Sequence, residues 1–190
     1  LKGLPAAGPA ATMRRQIAAL QSGRACVDVL DFHDAADQAR WQILAGQWKW
    51  LDGRFVSDEA ELARVELADH TFALKDMAVT FRVDLRAAGG RGGVVLAKDD
   101  EHLLAIWSTG REITIEYRNG GAPTTAQGRI VAPEAPVRLE IREGAAELVV
   151  NGESAARLEV PGSADWRVRL RLELLSVSGS FDAMTVEEGP

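Results

Sequence analysis

The side chains best equipped for proton transfer lie together in Asp99-Asp100-Glu101-His102, where a histidine able to titrate near neutral pH follows three carboxylates. The same arrangement also describes a charged turn that simply faces water. The other two histidines, His33 and His70, stand at no metal-ligand spacing from it. Cys26 has no neighbouring histidine, and there is no Gly-x-Ser-x-Gly elbow, so neither common nucleophile arrangement is present. Gly89-Gly90-Arg91-Gly92-Gly93 lacks the Lys-Ser/Thr pair and following helix of a phosphate loop. Five tryptophans supply a different chemistry, flat apolar faces on which a sugar ring can stack if polar groups rim them. Trp107, just before Ser108-Thr109-Gly110, and Trp166, after Gly162-Ser163-Ala164-Asp165, are the two whose loop-edge positions suit that role. With His102 they form the candidate ligand-binding set. The bland alternative is that they cover the ends of the fold.

The elements that must position these residues are strands. Ile113, Ile115 and Tyr117 alternate with Glu112, Thr114, Glu116 and Arg118, and the same period of two runs through residues 79–85, 137–142 and 168–174. One face of each strand is therefore greasy and the other wet, the pattern of antiparallel sheet. Asn151-Gly152 predicts a tight hairpin turn, because both positions accept positive φ. Further turn signals recur every 8–12 residues and imply about twelve strands in a β-sandwich or barrel. Residues 1–12 read as a leader, and Met13, Ile17 and Leu20 predict one short helix over 13–22, stopped by Ser22-Gly23. The chain divides into that leader and helix, residues 1–26, and one domain, 27–190.

A length of 190 residues with 46% apolar side chains is enough for one well-buried core without a metal or disulfide staple. The net charge of −6 argues against a nucleic-acid partner, which would need a basic surface. A single cysteine excludes an intramolecular disulfide and suits either the cytoplasm or a periplasm. No apolar run reaches the length of a membrane span. The small-residue stretch Leu4–Ala11 fits the region after a removed export signal, or an arbitrary chain start.

Several landmarks fall in a familiar order: Asp31-Phe32-His33-Asp34, Trp41, Gly46-Gln47-Trp48-Lys49-Trp50-Leu51-Asp52-Gly53, the Gly92–Ile106 segment with its Gly-Gly and Asp-Asp pairs, Asn151-Gly152, and Phe181-Asp182-Ala183-Met184-Thr185-Val186. Over roughly residues 31–187 this order resembles the concanavalin A-like lectin/glucanase superfamily, in particular the laminin-G-like and 3-keto-disaccharide hydrolase-like domains of bacterial secreted proteins. The resemblance implies a jelly-roll β-sandwich of two antiparallel sheets, with Trp41 and Trp48 in the core. It also implies pairing of the segment around Phe32 with the segment around Phe181. A structural calcium ion often sits near that meeting point in such folds, and Asp31, Asp34 and Asp182 are the residues here that would hold it, with Asp99-Asp100 as a second option.

What the resemblance implies about activity is mixed. Retaining glucanases of this fold carry Glu-x-Asp-x-x-Glu on one strand. Glu59-Ala60-Glu61-Leu62-Ala63-Arg64-Val65-Glu66 lacks the middle aspartate, and Leu103–Trp107 departs from the hydrolase-like pattern. No catalytic residue is assigned. The expectation is a non-catalytic, carbohydrate-binding module of an exported bacterial protein, secreted or periplasmic, taking a poly- or oligosaccharide. Two alternatives stand beside it: a glycoside hydrolase or lyase, with acidic or histidine side chains converging in the groove of one sheet, and a structural or protein-interaction domain using the 13–22 helix or a sheet face. The outward charges of Arg82, Asp84, Glu112, Glu116, Arg118, Arg138, Glu140, Arg142, Arg169, Arg171 and Glu173 are either cross-strand ion pairs or, if several fall on the concave sheet, a groove of alternating sign suited to polar or acidic sugars.

Overall fold

Alternating apolar and polar side chains leave each strand with one face to bury, and here two large sheets bury those faces against each other. The computed structural model describes residues 25–30, 32, 35–58, 61–130, 135–182 and 184–189. The expected leader and 13–22 helix, and Asp31, His33 and Asp34, lie outside the described residues. The first half of the chain forms β1 (Ala25–Leu30), β2 (Trp41–Ala45), β3 (Trp48–Leu51), β4 (Arg54–Ser57), β5 (Leu62–Leu67), β6 (Phe72–Ala73), β7 (Met77–Phe81), β8 (Val83–Leu85) and β9 (Arg91–Ala97). The second half forms β10 (His102–Ser108), β11 (Glu112–Asn119), β12 (Thr124–Arg129), β13 (Val137–Arg142), β14 (Ala145–Val150), β15 (Glu153–Glu159), β16 (Arg167–Leu175), β17 (Gly179–Phe181) and β18 (Met184–Glu188). One helical turn, α1 (Ala35–Gln38), joins β1 to β2.

A six-stranded sheet runs β1-β18-β7-β13-β14-β15, and an eight-stranded sheet runs β12-β11-β10-β9-β16-β5-β2 with β6 paired beside β16. All their pairings are antiparallel. The inward rows, such as Leu104, Ile106 and Leu172 on one sheet and Val79, Leu139 and Val186 on the other, join in a single buried core. Burying each of these side chains stabilises the fold by about 2 kcal/mol. The sandwich is a jelly roll, the architecture the sequence implies. Trp41 and Trp48 are buried in its core, where both contact Phe55. Asn151 and Gly152 take φ of 54° and 83° in the β14–β15 hairpin, as the turn signal requires.

The expected closure of first strand on last is present, since β1 pairs β18 with Leu30 opposite Met184. It differs in one respect. Phe181 belongs to β17, in a small four-stranded sheet of order β3-β4-β17-β8, where it faces Phe55 and Val83. The cause is a corner. β7 breaks into β8 at Arg82 and β17 breaks into β18 at Asp182; the Asp182 amide donates to the Arg82 carbonyl at 3.1 Å, and the two side chains form an ion pair. Two neighbouring strands thus leave one sheet for another at the same level, which adds two strands; the described residues form eighteen in all where about twelve were expected.

Candidate functional site

The centre of the eight-stranded sheet breaks the alternation rule. Gly92-Gly93-Val94-Val95-Leu96-Ala97 on β9 and Leu103-Leu104-Ala105-Ile106-Trp107 on β10 are apolar at odd and even positions alike. Their even-numbered residues face the core. The odd-numbered ones, Val95, Ala97, Ala105 and Trp107, form a second buried cluster on the outer face, flanked by Leu103 and Leu175. Strands apolar on both faces are covered on both faces. Gly93 permits the close approach of β9 to β10, for a methyl group there would lie 1.7 Å from the Ile106 carbonyl oxygen.

Charged side chains surround this cluster. The register sets Glu66 opposite Arg171, Arg64 opposite Glu173, and Glu116 beside Ala105. Arg171 Nε donates to Glu66 Oε2 at 2.7 Å, and Arg169 Nη1 donates to Oε1 at 3.2 Å. Arg171 Nη1 also reaches Asp100 Oδ1 at 3.1 Å, tying the β9–β10 turn to the face. Burial alone would lower the Arg171 pKa, but the hydrogen bonds to Glu66 and Asp100 outweigh it and hold it above the ordinary guanidinium value. Arg64 Nη2 donates to Glu173 Oε2 at 3.2 Å, while its Nε sits 2.7 Å from Oε1 but out of line for a hydrogen bond. Trp107 Nε1 donates to Glu116 Oε2 at 3.1 Å, Arg118 Nη2 donates to Oε1 at 3.1 Å, and the Arg91 guanidinium lies 4.3 Å over the indole ring.

The candidate residues named from sequence separate into two places. Trp107 belongs to this outer face, but its ring is buried beneath Arg91. His102 and Trp166 meet at one end of the sandwich, with ring centroids 5.8 Å apart and planes at 88°. Trp166 is buried and stacks on Tyr117, whose hydroxyl donates to the Pro161 carbonyl. His102 Nδ1 lies 2.8 Å from Asp99 Oδ1, and that hydrogen bond holds the Asp99 carboxyl below its ordinary pKa. Of the calcium candidates, Asp182 alone is described, and it is paired with Arg82, so a divalent cation would have to displace a guanidinium. Among the described residues no three His, Cys, Asp or Glu side chains converge on a metal-sized site. Glu66, Arg64 and Arg91 are absent from the sequence-derived candidates. The signal for them was the doubly apolar run on β9 and β10, which marks where an outer face is covered.

No family model and no curated protein matches this sequence. Solved structures do. A Crh5 transglycosylase in complex with NAG superposes with a TM-score of 0.68 at 13% identity, over 87% of this chain and 85% of that one. The catalytic domain of an endo-1,3-β-glucanase (laminarinase) from Thermotoga petrophila gives 0.68 at 14% identity, over 87% and 98%. The carbohydrate-binding module CBM66 from Bacillus subtilis gives 0.58 at 10% identity, over 78% and 96%. The fold is the concanavalin A-like jelly roll, shared with galectin-like, legume-lectin-like and glucanase domains.

Proposed function

We propose that this domain is a carbohydrate-binding module that takes a poly- or oligosaccharide across the outer face of the eight-stranded sheet, without cleaving it. One observation carries the reading: a buried apolar cluster containing Trp107 lies there inside a ring of guanidiniums and carboxylates. Sugar recognition uses planar polar groups such as guanidinium and carboxylate for the ring's hydroxyls, and the buried floor beneath them, Trp107 included, holds those groups in place rather than stacking on the sugar. Lectin-like and carbohydrate-binding neighbours with the same fold support this choice of ligand. The Asp99–His102 turn, tied to the face through Asp100 and Arg171, extends the polar rim beyond the strands.

Binding is favoured over hydrolysis by the pairing of the carboxylates. A glycosidase needs one carboxyl held protonated by an apolar pocket and a second at a set distance. Glu66, Glu173 and Glu116 are each ion-paired with arginine instead. Export of the protein, to the outside or to a periplasm, goes with such a ligand and is part of the proposal. The test is a glycan array followed by calorimetric titration of the best binder, run with calcium and with a chelator. The expected result is weak, roughly millimolar affinity for a single sugar and tighter binding of longer chains, indifferent to calcium. Retention of no glycan ends the reading. Release of reducing ends from a bound glycan converts it to a hydrolase.

A further inference from the structure

The vertical order of charge on the outer face is uneven. Three of the carboxylates lie low, with Glu66, Glu173 and Glu116 side chains 6%, 5% and 12% exposed, while Asp100 stands out at 87%. The guanidiniums lie above them, with Arg169 and Arg91 at 60% and 45%. Five arginines at positions 64, 91, 118, 169 and 171 meet four carboxylates at 66, 100, 116 and 173. The face therefore carries a positive surplus on a chain whose net charge is −6. Apart from Asp100, which Arg171 holds, solvent meets N–H donors first, and the buried carboxylates orient them.

Several of those donors are open. Arg91 lies over Trp107, and its nearest carboxylate oxygen among the described residues, Glu116 Oε2, is 3.7 Å away, beyond hydrogen-bond reach. Arg169, 60% exposed, uses Nη1 on Glu66 and keeps its remaining donors toward solvent. A guanidinium over an indole covers the apolar face a neutral sugar would use. Its planar fork of N–H donors is matched to a carboxylate.

Resting on the sugar-binding reading above, we propose that the ligand of this face is an acidic glycan whose uronate carboxylates are gripped by Arg91 and Arg169. The experiment titrates the full chain with polygalacturonate oligosaccharides, with their fully methyl-esterified forms, and with dextran sulfate, at several salt concentrations. The expected result is binding of the carboxylate form that weakens with salt, and at least about tenfold loss on esterification, the loss of a charge-assisted bidentate contact. Arg91→Ala and Arg169→Ala should each weaken binding about tenfold, with thermal unfolding nearly unchanged for Arg169, which is 60% exposed, and slightly earlier for Arg91, which covers Trp107. Arg91→Lys, which keeps the charge and loses the fork, should not restore it. Equal binding of esterified and free forms, or full rescue by lysine, overturns the uronate assignment while leaving sugar binding intact. Dextran sulfate bound as tightly as polygalacturonate also overturns it, leaving a charge-only surface. Binding of none of the three, while a neutral glycan is retained, overturns this inference alone; retention of no glycan removes the sugar-binding reading with it.

Discussion

On the six-stranded sheet, Arg138 donates to both oxygens of Glu187 at 2.9 and 2.7 Å, to Glu140 at 2.8 Å and to Thr80 Oγ1 at 3.1 Å. On the eight-stranded sheet, Arg91 rests on an indole and has its nearest carboxylate at 3.7 Å. The hydrogen bond to Glu187 is the main cause that raises the Arg138 pKa, with burial opposing it. That guanidinium has little left to offer a ligand. Both outer faces carry arginine and glutamate, yet one closes its charges on itself and the other leaves donors facing water over a hydrophobic bed. Saturation, rather than residue type, separates a structural ion network from a recognition surface.

Removing a carboxylate from each face sharpens this contrast. Glu66→Ala strands Arg171 in a nearly dry position with only the exposed Asp100 as partner, and should cost about 3 kcal/mol in urea unfolding. Glu187→Ala leaves Arg138 with Glu140 and Thr80 and more water, so the expected cost is smaller, about 2 kcal/mol, with glycan binding unchanged. A larger loss at Glu187 than at Glu66, or lost binding there, would break the comparison. The smallest effect belongs to Asp99. Its folded pKa lies below the ordinary 3.8, chiefly through the hydrogen bond from His102, so its stabilisation is complete above that value and disappears as pH falls through the lower folded value. A carboxyl-detected NMR titration should show the depressed midpoint, and His102→Ala should move it upward.

The strands were readable because period-two alternation survives wherever one face is wet, as at Ile113, Ile115 and Tyr117. Turn chemistry located the β14–β15 hairpin for the same local reason. The outer-face site was not readable from spacing, since Glu66 and Arg171 meet only through a strand pairing that spans most of the chain. The runs Val94–Ala97 and Leu103–Trp107 did carry a local signal: apolar residues on both faces mean cover on both faces. Trp107 and Trp166 were placed by their nearness to turns, which says nothing of what lies on their rings. Arg91 covers one and Tyr117 stacks on the other.

The position of β16 has a kinetic consequence. It lies between β9 and β5, so the strand that joins the two halves of the eight-stranded sheet is synthesised after every other strand of that sheet. Until residues 167–175 arrive, β9 and β5 each keep an unsatisfied edge, and Arg169, Arg171 and Glu173 are missing from the outer face. Folding of this domain must therefore be slow and late, governed by contacts distant in sequence, and a chain stopped short of β16 would display two sticky strand edges to its neighbours.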